Sequence, residues 1–260
     1  PMPKARGRLQ PLSVRMGLFK LLNIPTDIKI TEHEPAGRFI PLTQIRTSEE
    51  LTRFITEMIP LLHLESDQAK TIGYIVSELV RNVLEHAEVR DGAILCAQYY
   101  KKSNSIRIGI ADTGLGIKTT ITHSHAATTD LEAIRLALMP GITGTTRREG
   151  GTDQNAGAGL FFIKSIASVN RDFFIIYSGT GFYKLLKKSA ARNLRLHADP
   201  FLDRHSSDGE MPAWPGTVVG VDITLNQTEE FSRLLDAIRE TYSSAVRERR
   251  RERYRKPRFT

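Results

Sequence analysis

The sequence predicts a two-layer α/β sandwich, in which one mixed β-sheet is covered on one side by helices. Two observations support this fold class. The segments 66–87 and 228–246 place apolar residues at helical spacing along one face. The segments 92–100 and 105–111 are short, rich in Ile, Tyr and Ala, and joined by a polar turn, which is typical of a β-hairpin. Helices and strands mixed along one chain of this length pack most simply as one layer of each.

The N-terminal part of the predicted domain begins with two short strands. We expect them at 27–32 and 38–45, on either side of a turn that contains Pro35 and Gly37. Pro41 lacks an amide hydrogen and cannot donate to a neighbouring strand. The strand at 38–45 is therefore predicted to form an edge of the sheet.

Capping patterns mark the starts of two helices. Thr47 is followed three residues later by Glu50, and Thr129 by Glu132, so that each pair can satisfy free amide groups in a first helical turn. Pro60 ends or interrupts the first of these helices. The predicted helices are 47–59, 66–87, 129–140, 159–169 and 228–246.

The C-terminal half contains three further predicted strands and two segments without regular structure. Segment 141–156 consists mainly of Gly, Thr, Arg and Asp, has little to bury, and is interpreted as a mobile lid. Segment 189–215 contains three prolines and is expected to be irregular. The strands are predicted at 172–178, 182–187 and 217–225.

The composition is that of a folded globular protein, with 40% hydrophobic and 25% charged residues among 260. The sequence has no apolar stretch near the roughly 20 residues of a membrane span, and no apolar signal-peptide segment. We therefore expect no membrane insertion and a cytoplasmic location. The single cysteine, Cys96, excludes an intrachain disulfide and is interpreted as a small buried hydrophobe.

The net charge of +8 is concentrated at the two ends. Residues 1–22 hold five basic residues and no acid, and 247–260 hold eight basic residues against two acids. We expect a basic N-terminal arm at 1–25, one domain at 26–246 and a basic tail at 247–260. Such arms suit a nucleic acid, an acidic membrane surface or an acidic partner, or serve only as solvated tails.

Glu78 and Asn82 lie four residues apart on the predicted helix at 66–87, so their side chains share one face. A carboxylate beside an amide suits a hydrated magnesium ion next to a phosphate. The carboxylate can also orient or deprotonate a water molecule. By itself the pair also fits a solvated helical stripe.

Asp112 follows the strand at 105–111 and precedes Gly114 and Gly116. A carboxylate at a strand end can accept a hydrogen bond from an exocyclic amine, such as that of adenine. The two glycines would let a flat ring approach the backbone, although an ordinary turn has the same composition.

Two further candidate nucleotide-binding patterns are only two to four residues long, one at a helix start and one at a strand start. Exposed amides at the start of the helix after the predicted lid, free of bulky side chains, are suited to phosphate oxygens. Thr217, which follows Gly216, begins a strand, and its hydroxyl either faces a pocket or satisfies a backbone group. The helix-start pattern consists of Gly157, Ala158, Gly159 and Leu160.

In this order, the four patterns resemble the ATP-binding fold called GHKL or Bergerat. DNA gyrase, the heat-shock ATPase chaperone, histidine kinases and mismatch-repair ATPases share this fold. Residues 74–87 are similar to its N-box, 110–117 to its G1 box, 157–160 to its G2 box and 216–217 to its final Gly-Thr element.

The resemblance implies ATP and Mg²⁺ as ligands and gives each residue a role. Asn82 would hold the magnesium ion, and Glu78 would position or activate the attacking water or hydroxyl. Asp112 would bind the adenine amine. Gly116 would admit the adenine ring, Gly157 and Gly159 would cradle the phosphates, and Thr217 would support the adenine end.

One departure from the family pattern lies in the G2 region. Many members have a glycine two positions before Gly157, and this sequence has Asn155 there, which puts one phosphate contact in doubt. Arg147 and Arg148, in the predicted lid, suit a γ-phosphate geometrically or are simply solvated charges.

The resemblance does not determine which kind of GHKL protein this chain is. A histidine kinase would carry a phosphoacceptor histidine in a dimerising helix, and none of the seven histidines has that setting. The chain looks more like free-standing modules such as the bacterial anti-sigma serine kinases, which implies an ATPase or protein kinase acting on a protein partner. The alternative is a non-catalytic switch or clamp, in which ATP only orders the predicted lid. Both alternatives are compatible with a homodimer.

Overall fold

The structure, a computed structural model, describes residues 14–22, 24–25, 38–144, 159–186, 196–225 and 228–254. Several predictions fall outside these ranges. They are the strand at 27–32, the lid from 145 onward with Arg147, Arg148 and Asn155, and the first two residues of the helix-start pattern, Gly157 and Ala158.

The described residues form one seven-stranded sheet. Its strands are β1 (Phe39–Ile45), β2 (Ala93–Tyr100), β3 (Ser105–Ala111), β4 (Phe174–Gly179), β5 (Gly181–Leu185), β6 (His205–Asp208) and β7 (Trp214–Thr224). Their order across the sheet is β1-β2-β3-β7-β4-β5-β6, so the last strand along the chain lies at the centre.

Every strand pairing described is antiparallel, which corrects the expectation of a mixed sheet. The connections explain the difference. Short turns join β2 to β3 and β4 to β5 as hairpins, and a tight turn can only join antiparallel neighbours. β7 then runs antiparallel to both β3 and β4.

β1 forms one edge of the sheet, as Pro41 predicts. The pairing of β1 with β2 shifts register between Ile40 and Thr43, so Pro41 lies at an irregularity where a missing amide is tolerated. On this strand, Leu42 donates its backbone N–H to the carbonyl of Met16 at 2.8 Å. Part of the predicted N-terminal arm therefore contacts the sheet edge.

The described residues also contain seven α-helices. They are α1 (Leu18–Leu21), α2 (Ser48–Arg53), α3 (Ser66–His86), α4 (Gly116–Thr122), α5 (Asp130–Ala137), α6 (Gly159–Asn170) and α7 (Thr228–Tyr254). The predicted two-layer sandwich is confirmed, because helices pack on one face of the sheet. Along β2, Ala93, Leu95 and Ala97 are buried, whereas the alternating residues that face the other way are half-buried.

The capping patterns are confirmed as helix starts. The side chains of Thr47 and Thr129 accept hydrogen bonds from the backbone N–H groups of Glu50 and Glu132. After α2 the chain continues as a π-helical turn, Phe54–Met58, and then as a 3₁₀ turn, Ile59–Leu62. Pro60 lies in that 3₁₀ turn and so interrupts the helical run, as predicted.

The C-terminal helix α7 packs on α6. Ile238 is fully buried, and the ring of Tyr242 lies 6.3 Å from Phe161 and 6.2 Å from Phe162 between centroids. The helix continues to Tyr254, past its predicted end at Val246. Part of the predicted basic tail is therefore helical.

Three elements were not predicted, namely the short helix α1, the helix α4 and the strand β6. α4 has the sequence Gly-Ile-Lys-Thr-Thr-Ile-Thr, whose β-branched residues are weak helix formers. β6 lies in the segment that was expected to be irregular, and its residues His-Ser-Ser-Asp lack an apolar alternation. Within the described parts of the chain, none of the helices has the length and apolar character needed to cross a membrane.

Candidate functional site

A cavity of about 310 Å³ opens between α3, the start of α4, the end of α5, the start of α6 and the central strands β3 and β7. This volume is in the range of small-molecule pockets. Four separate parts of the sequence therefore meet at one cavity. The predicted site residues that line it are Glu78, Asn82, Asp112, Gly116, Gly159, Leu160 and Thr217.

Helix α3 presents its polar stripe to the cavity and its apolar stripe to the core. Glu78 and Asn82 are half-buried and line the cavity, as their four-residue spacing predicts. Val76 and Val80, on the core-facing side of the helix, do not line the cavity and are 1% and 0% exposed. Because the core holds one face of the helix, the two polar side chains have a defined orientation toward the cavity.

The environment of Glu78 favours its protonated form. Burial raises the pKa of this carboxyl above its ordinary value, the charge of Arg81 partly lowers it, and that of Glu85 raises it again. Tyr74, one turn earlier, also lines the cavity, and burial together with the charge of Glu78 raises its pKa to about 12. A carboxyl with a raised pKa in a cavity is suited to accept a proton near neutral pH.

Asn82 brings an amide to the same wall. Its Nδ2 atom is buried and has no hydrogen-bond partner among the described residues. A buried amide group without a partner is rare, which indicates that something else satisfies it in the functional protein. The oxygens of Glu78 and Asn82 are the kind of donors that Mg²⁺ prefers, so the residues present fit a magnesium ion and a phosphate here.

The first residue of α6 lies against Glu78. A β-carbon at Gly159 would overlap Oε2 of Glu78, so the absence of a side chain at this position makes room for the carboxylate. Helix α6 thus starts beside the carboxylate and at the cavity, and the first N–H groups of a helix have no partner within that helix. Leu160, the next residue, lines the cavity as well.

Asp112 lies at the other end of the site, 3% exposed. Its Oδ1 atom accepts the backbone N–H of Gly114 at 2.8 Å, and its Oδ2 atom accepts that of Thr217 at 3.3 Å. Burial raises the pKa of Asp112, and these two hydrogen bonds lower it again. The carboxylate is therefore held in one orientation at the edge of the cavity.

The backbone around Asp112 is fixed by β7. The N–H of Asp112 donates to the carbonyl of Thr217 at 2.9 Å, and the indole N–H of Trp214 donates to the carbonyl of Asp112 at the same distance. Sequence reasoning missed Trp214, because a single tryptophan before a strand has no distinctive pattern.

The two glycines after Asp112 are required at their positions for different structural reasons. Gly114 packs on the end of α3, where a β-carbon would overlap the backbone carbonyl of Ala87. The same carbonyl accepts the N–H of Leu115 at 2.9 Å. Gly116 has a φ of +72°, which favours glycine, and a β-carbon there would lie 2.9 Å from Oγ of Ser178. Of the two, only Gly116 lines the cavity.

Apolar side chains form the walls between the two polar ends. Ile110, Ile117, Ile121, Ile142 and Val219 line the cavity and are at most 9% exposed. Thr143 and Gly144, at the start of the predicted lid, also line it. The cavity therefore combines apolar walls with two polar groups of residues, namely the fixed carboxylate of Asp112 and the carboxylate and amide of Glu78 and Asn82 beside the start of α6.

Comparison with known proteins agrees with this geometry. A family described as the histidine kinase-like ATPase domain matches residues 40–170, about half of the chain. The matched range includes α3, Asp112 and α6, and it ends before Thr217. The curated proteins and the solved structures contain no match to the chain.

Proposed function

Because the chain belongs to the family of histidine kinase-like ATPase domains, we propose that it binds Mg²⁺-ATP in the cavity and hydrolyses it or transfers its γ-phosphoryl group to a protein partner. The observation that supports this proposal is that Glu78, Asn82 and Asp112 line one cavity, with Glu78 beside Gly159 at the start of α6 and Asp112 hydrogen-bonded to Thr217 on β7. Glu78 and Asn82 suit a metal-bound phosphate, and Asp112 suits an amine-bearing base.

The base end is assigned to Asp112 and Thr217. The carboxylate of Asp112 has accepting capacity left after its two backbone hydrogen bonds, so it can accept the exocyclic amine of adenine. The apolar walls, which include Ile110 and Val219, suit the faces of a purine ring. Gly116 keeps the approach to the ring free of a side chain.

The phosphate end is assigned to Glu78, Asn82, Gly159 and Leu160. Asn82 is proposed to hold Mg²⁺, which supplies positive charge beside the phosphates when it is bound. The start of α6 is proposed to donate backbone N–H groups to phosphate oxygens. Gly157 and Ala158 are proposed to extend this cradle, since they directly precede α6 in the sequence.

Glu78 is proposed to act as the general base. It takes the proton of a water molecule or of a partner's hydroxyl as that oxygen forms a bond to the γ-phosphorus. The bond from the γ-phosphorus to its bridging oxygen breaks, and ADP leaves with the electron pair. The half-buried position of Glu78 and its raised pKa support this role.

A non-catalytic switch is the alternative. Thr143 and Gly144 line the cavity at the start of the predicted lid, so a bound nucleotide could change the partner-binding properties of the chain without turnover. In that case nucleotide binding changes the conformation of the chain, and no phosphoryl group is transferred. For either alternative, we propose a cytoplasmic protein as the partner, which includes a second copy of this chain.

The experiment measures ATP binding, phosphate release and transfer of radioactive γ-phosphate to co-purified proteins, for the wild type and for Glu78→Ala. If the protein is an enzyme, both the wild type and Glu78→Ala should bind ATP, and only the wild type should release or transfer phosphate. Binding without phosphate release or transfer by the wild type would leave only the switch.

The basic termini allow nucleic acid as a second class of partner. Arg247 and Arg251 are exposed on the last turns of α7. If they contact phosphates, binding to a DNA or RNA oligonucleotide should weaken as salt rises, and Arg247→Ala combined with Arg251→Ala should reduce that salt dependence. Binding that is absent at low salt would exclude this partner class.

A further inference from the structure

A buried serine outside the four motifs connects the start of α4 to the first part of β7 at the base end. Ser178, on β4, is 2% exposed. Its Oγ atom contacts the first turn of α4, after Asp112, and the start of the Gly216-Thr217 pair on β7. No motif of the sequence singled it out, since a serine within a strand has no local signature.

The hydrogen bonds of Ser178 use its full capacity. A serine hydroxyl has one hydrogen to donate and two lone pairs that accept. Its oxygen accepts the backbone N–H of Ile117 at 2.9 Å. Its hydrogen is donated to the carbonyl of Gly216 at 2.8 Å, because a carbonyl oxygen can only accept.

The direction of the third contact follows from this inventory. Oγ1 of Thr217 lies 3.3 Å from Oγ of Ser178. The only hydrogen of Ser178 is already committed to Gly216, so Thr217 must be the donor in this contact. The hydroxyl of Thr217 has then spent its own hydrogen, and its remaining capacity is to accept.

Thr217 lines the cavity beside Asp112. Both of their side chains therefore offer acceptors only at the base end, and the backbone N–H of Thr217 is occupied by Asp112. An exocyclic amine, which donates two hydrogens, matches such a pair of acceptors. A carbonyl at the same position of the ring would meet them without a hydrogen to share, which is unfavourable in a buried site.

We propose that Ser178 is a positioning residue that sets the nucleobase selectivity of the site, because it holds the Thr217 hydroxyl as an acceptor. The inference rests on the proposed function, since it concerns the base end of the same ATP site. It adds a residue from β4 that is expected to contact no part of the nucleotide and that maintains the preference for the adenine amine already assigned to this site.

The experiment compares ATP with inosine triphosphate (ITP), which carries a carbonyl in place of the amine, by titration calorimetry in the presence of Mg²⁺. The wild type is expected to prefer ATP. Ser178→Ala releases the Thr217 hydroxyl, which can then donate to the carbonyl, so the ATP-to-ITP affinity ratio should fall about tenfold. If Ser178→Ala instead disordered the site as a whole, the affinities for ATP and ITP would fall equally and their ratio would not change.

A double-mutant cycle tests the route through Thr217. Thr217→Val removes the acceptor and should itself lower the ratio. Ser178→Ala should then have no further effect on the ratio in the Thr217→Val background. A further fall in that background would overturn the proposed route, as would an unchanged ratio in Ser178→Ala alone.

Two further variants keep the test decisive. Ser178→Cys retains a small side chain whose sulfur is a weak donor and acceptor, and it should lower the ratio if Ser178→Ala does not fold. Ser165→Ala, a change at a fully buried serine of α6, should leave the ratio at the wild-type value. If the wild type binds neither nucleotide, the proposed function fails. If it prefers ATP and both Ser178 variants keep that preference, only the role of Ser178 fails.

Discussion

Gly159 makes room for the carboxylate of Glu78. The two residues lie 81 positions apart in sequence, yet a β-carbon at Gly159 would overlap Oε2 of Glu78. The start of α6 and the polar face of α3 are therefore fitted to each other at the phosphate end of the cavity. This contact requires glycine because of its neighbour, rather than because of an unusual backbone angle.

Gly159→Ala should reduce turnover more than nucleotide binding. The added methyl group must push the Glu78 carboxylate aside, and a misplaced general base costs a large part of its roughly 100-fold contribution. We expect kcat to fall at least about tenfold with a smaller change in ATP affinity, measured by phosphate release and calorimetry.

Gly73→Ala is the matched control on α3. A β-carbon there would meet Ile55 at 3.6 Å and Ile59 at 3.9 Å, which is ordinary packing distance. This variant should keep full activity and gain about 0.5–1 kcal/mol in free energy of unfolding, as expected for glycine replaced by alanine within a helix. Equal turnover in the two variants would contradict the role assigned to the Gly159 contact.

Glu78→Gln should stabilise the protein near neutral pH and abolish turnover. The pKa of Glu78 is raised in the folded state, so between its ordinary pKa and its raised pKa the folded chain binds more protons than the unfolded chain. Stability from this group is therefore present at low pH and is lost as pH rises through the raised pKa. Glutamine carries no charge and avoids that loss.

The measurement is the melting temperature from about pH 4 to 8, together with the pH dependence of kcat. Glu78→Gln should melt higher than the wild type at pH 7, and the difference should vanish toward the acid end, where the wild-type carboxyl is protonated. Wild-type kcat should rise with pH as Glu78 ionises. A variant that melts lower at every pH would show that the ionised carboxylate is a stabilising group instead.

Asp112→Asn should abolish ATP binding and leave the fold intact. The carboxylate accepts N–H groups with both oxygens, and asparagine replaces one acceptor by a donor that faces a backbone N–H or the adenine amine. We expect ATP affinity to fall at least about 100-fold, so that no binding is detected. The far-ultraviolet circular dichroism spectrum should match that of the wild type.

Asp222→Asn is the control for this charge change. Asp222 forms a surface ion pair with Arg107 on the central strands, outside the residues that line the cavity. It should have wild-type ATP affinity. If Asp112→Asn binds ATP as well as Asp222→Asn does, the assignment of Asp112 to the base is wrong.

Gly114→Ala should destabilise the protein by about 1–3 kcal/mol, because the new side chain would overlap the backbone of Ala87, which cannot rotate away. The overlap would also disturb the hydrogen bond from Leu115 to the Ala87 carbonyl. Chemical denaturation measures the loss. Gly209→Ala, which would meet only Leu131 at 3.9 Å, should change the free energy of unfolding by less than about 0.5 kcal/mol.

Much of the fold could be predicted from the helical and strand periodicities of the sequence. The stripe of α3 placed Glu78 and Asn82 on one face, and the hairpin of β2 and β3 placed Asp112 at a strand end. These local patterns have a direct physical cause, since burial of one face selects the residues. The order of the strands and the antiparallel course of the whole sheet depend on long-range pairing, which local patterns do not encode.

The parts of the site that escaped prediction are those held by tertiary contacts. Ser178 looks like any small residue of a strand, and its importance lies in partners 38 and 61 positions away. Gly114 was expected to leave room for a ring, but the space beside it is taken by the carbonyl of Ala87. The neighbour that requires glycine at position 114 could be identified only in the folded chain.

The central position of β7 has a consequence for biosynthesis. Within the described ranges of the chain, the groups β1–β3 and β4–β6 have no strand pairing with each other except through β7, which the ribosome makes after both. Thr217, the partner of Asp112, arrives on that same strand. A nascent chain that still lacks β7 therefore cannot present a complete base pocket, and nucleotide can help to stabilise the protein only after its two half-sheets have joined.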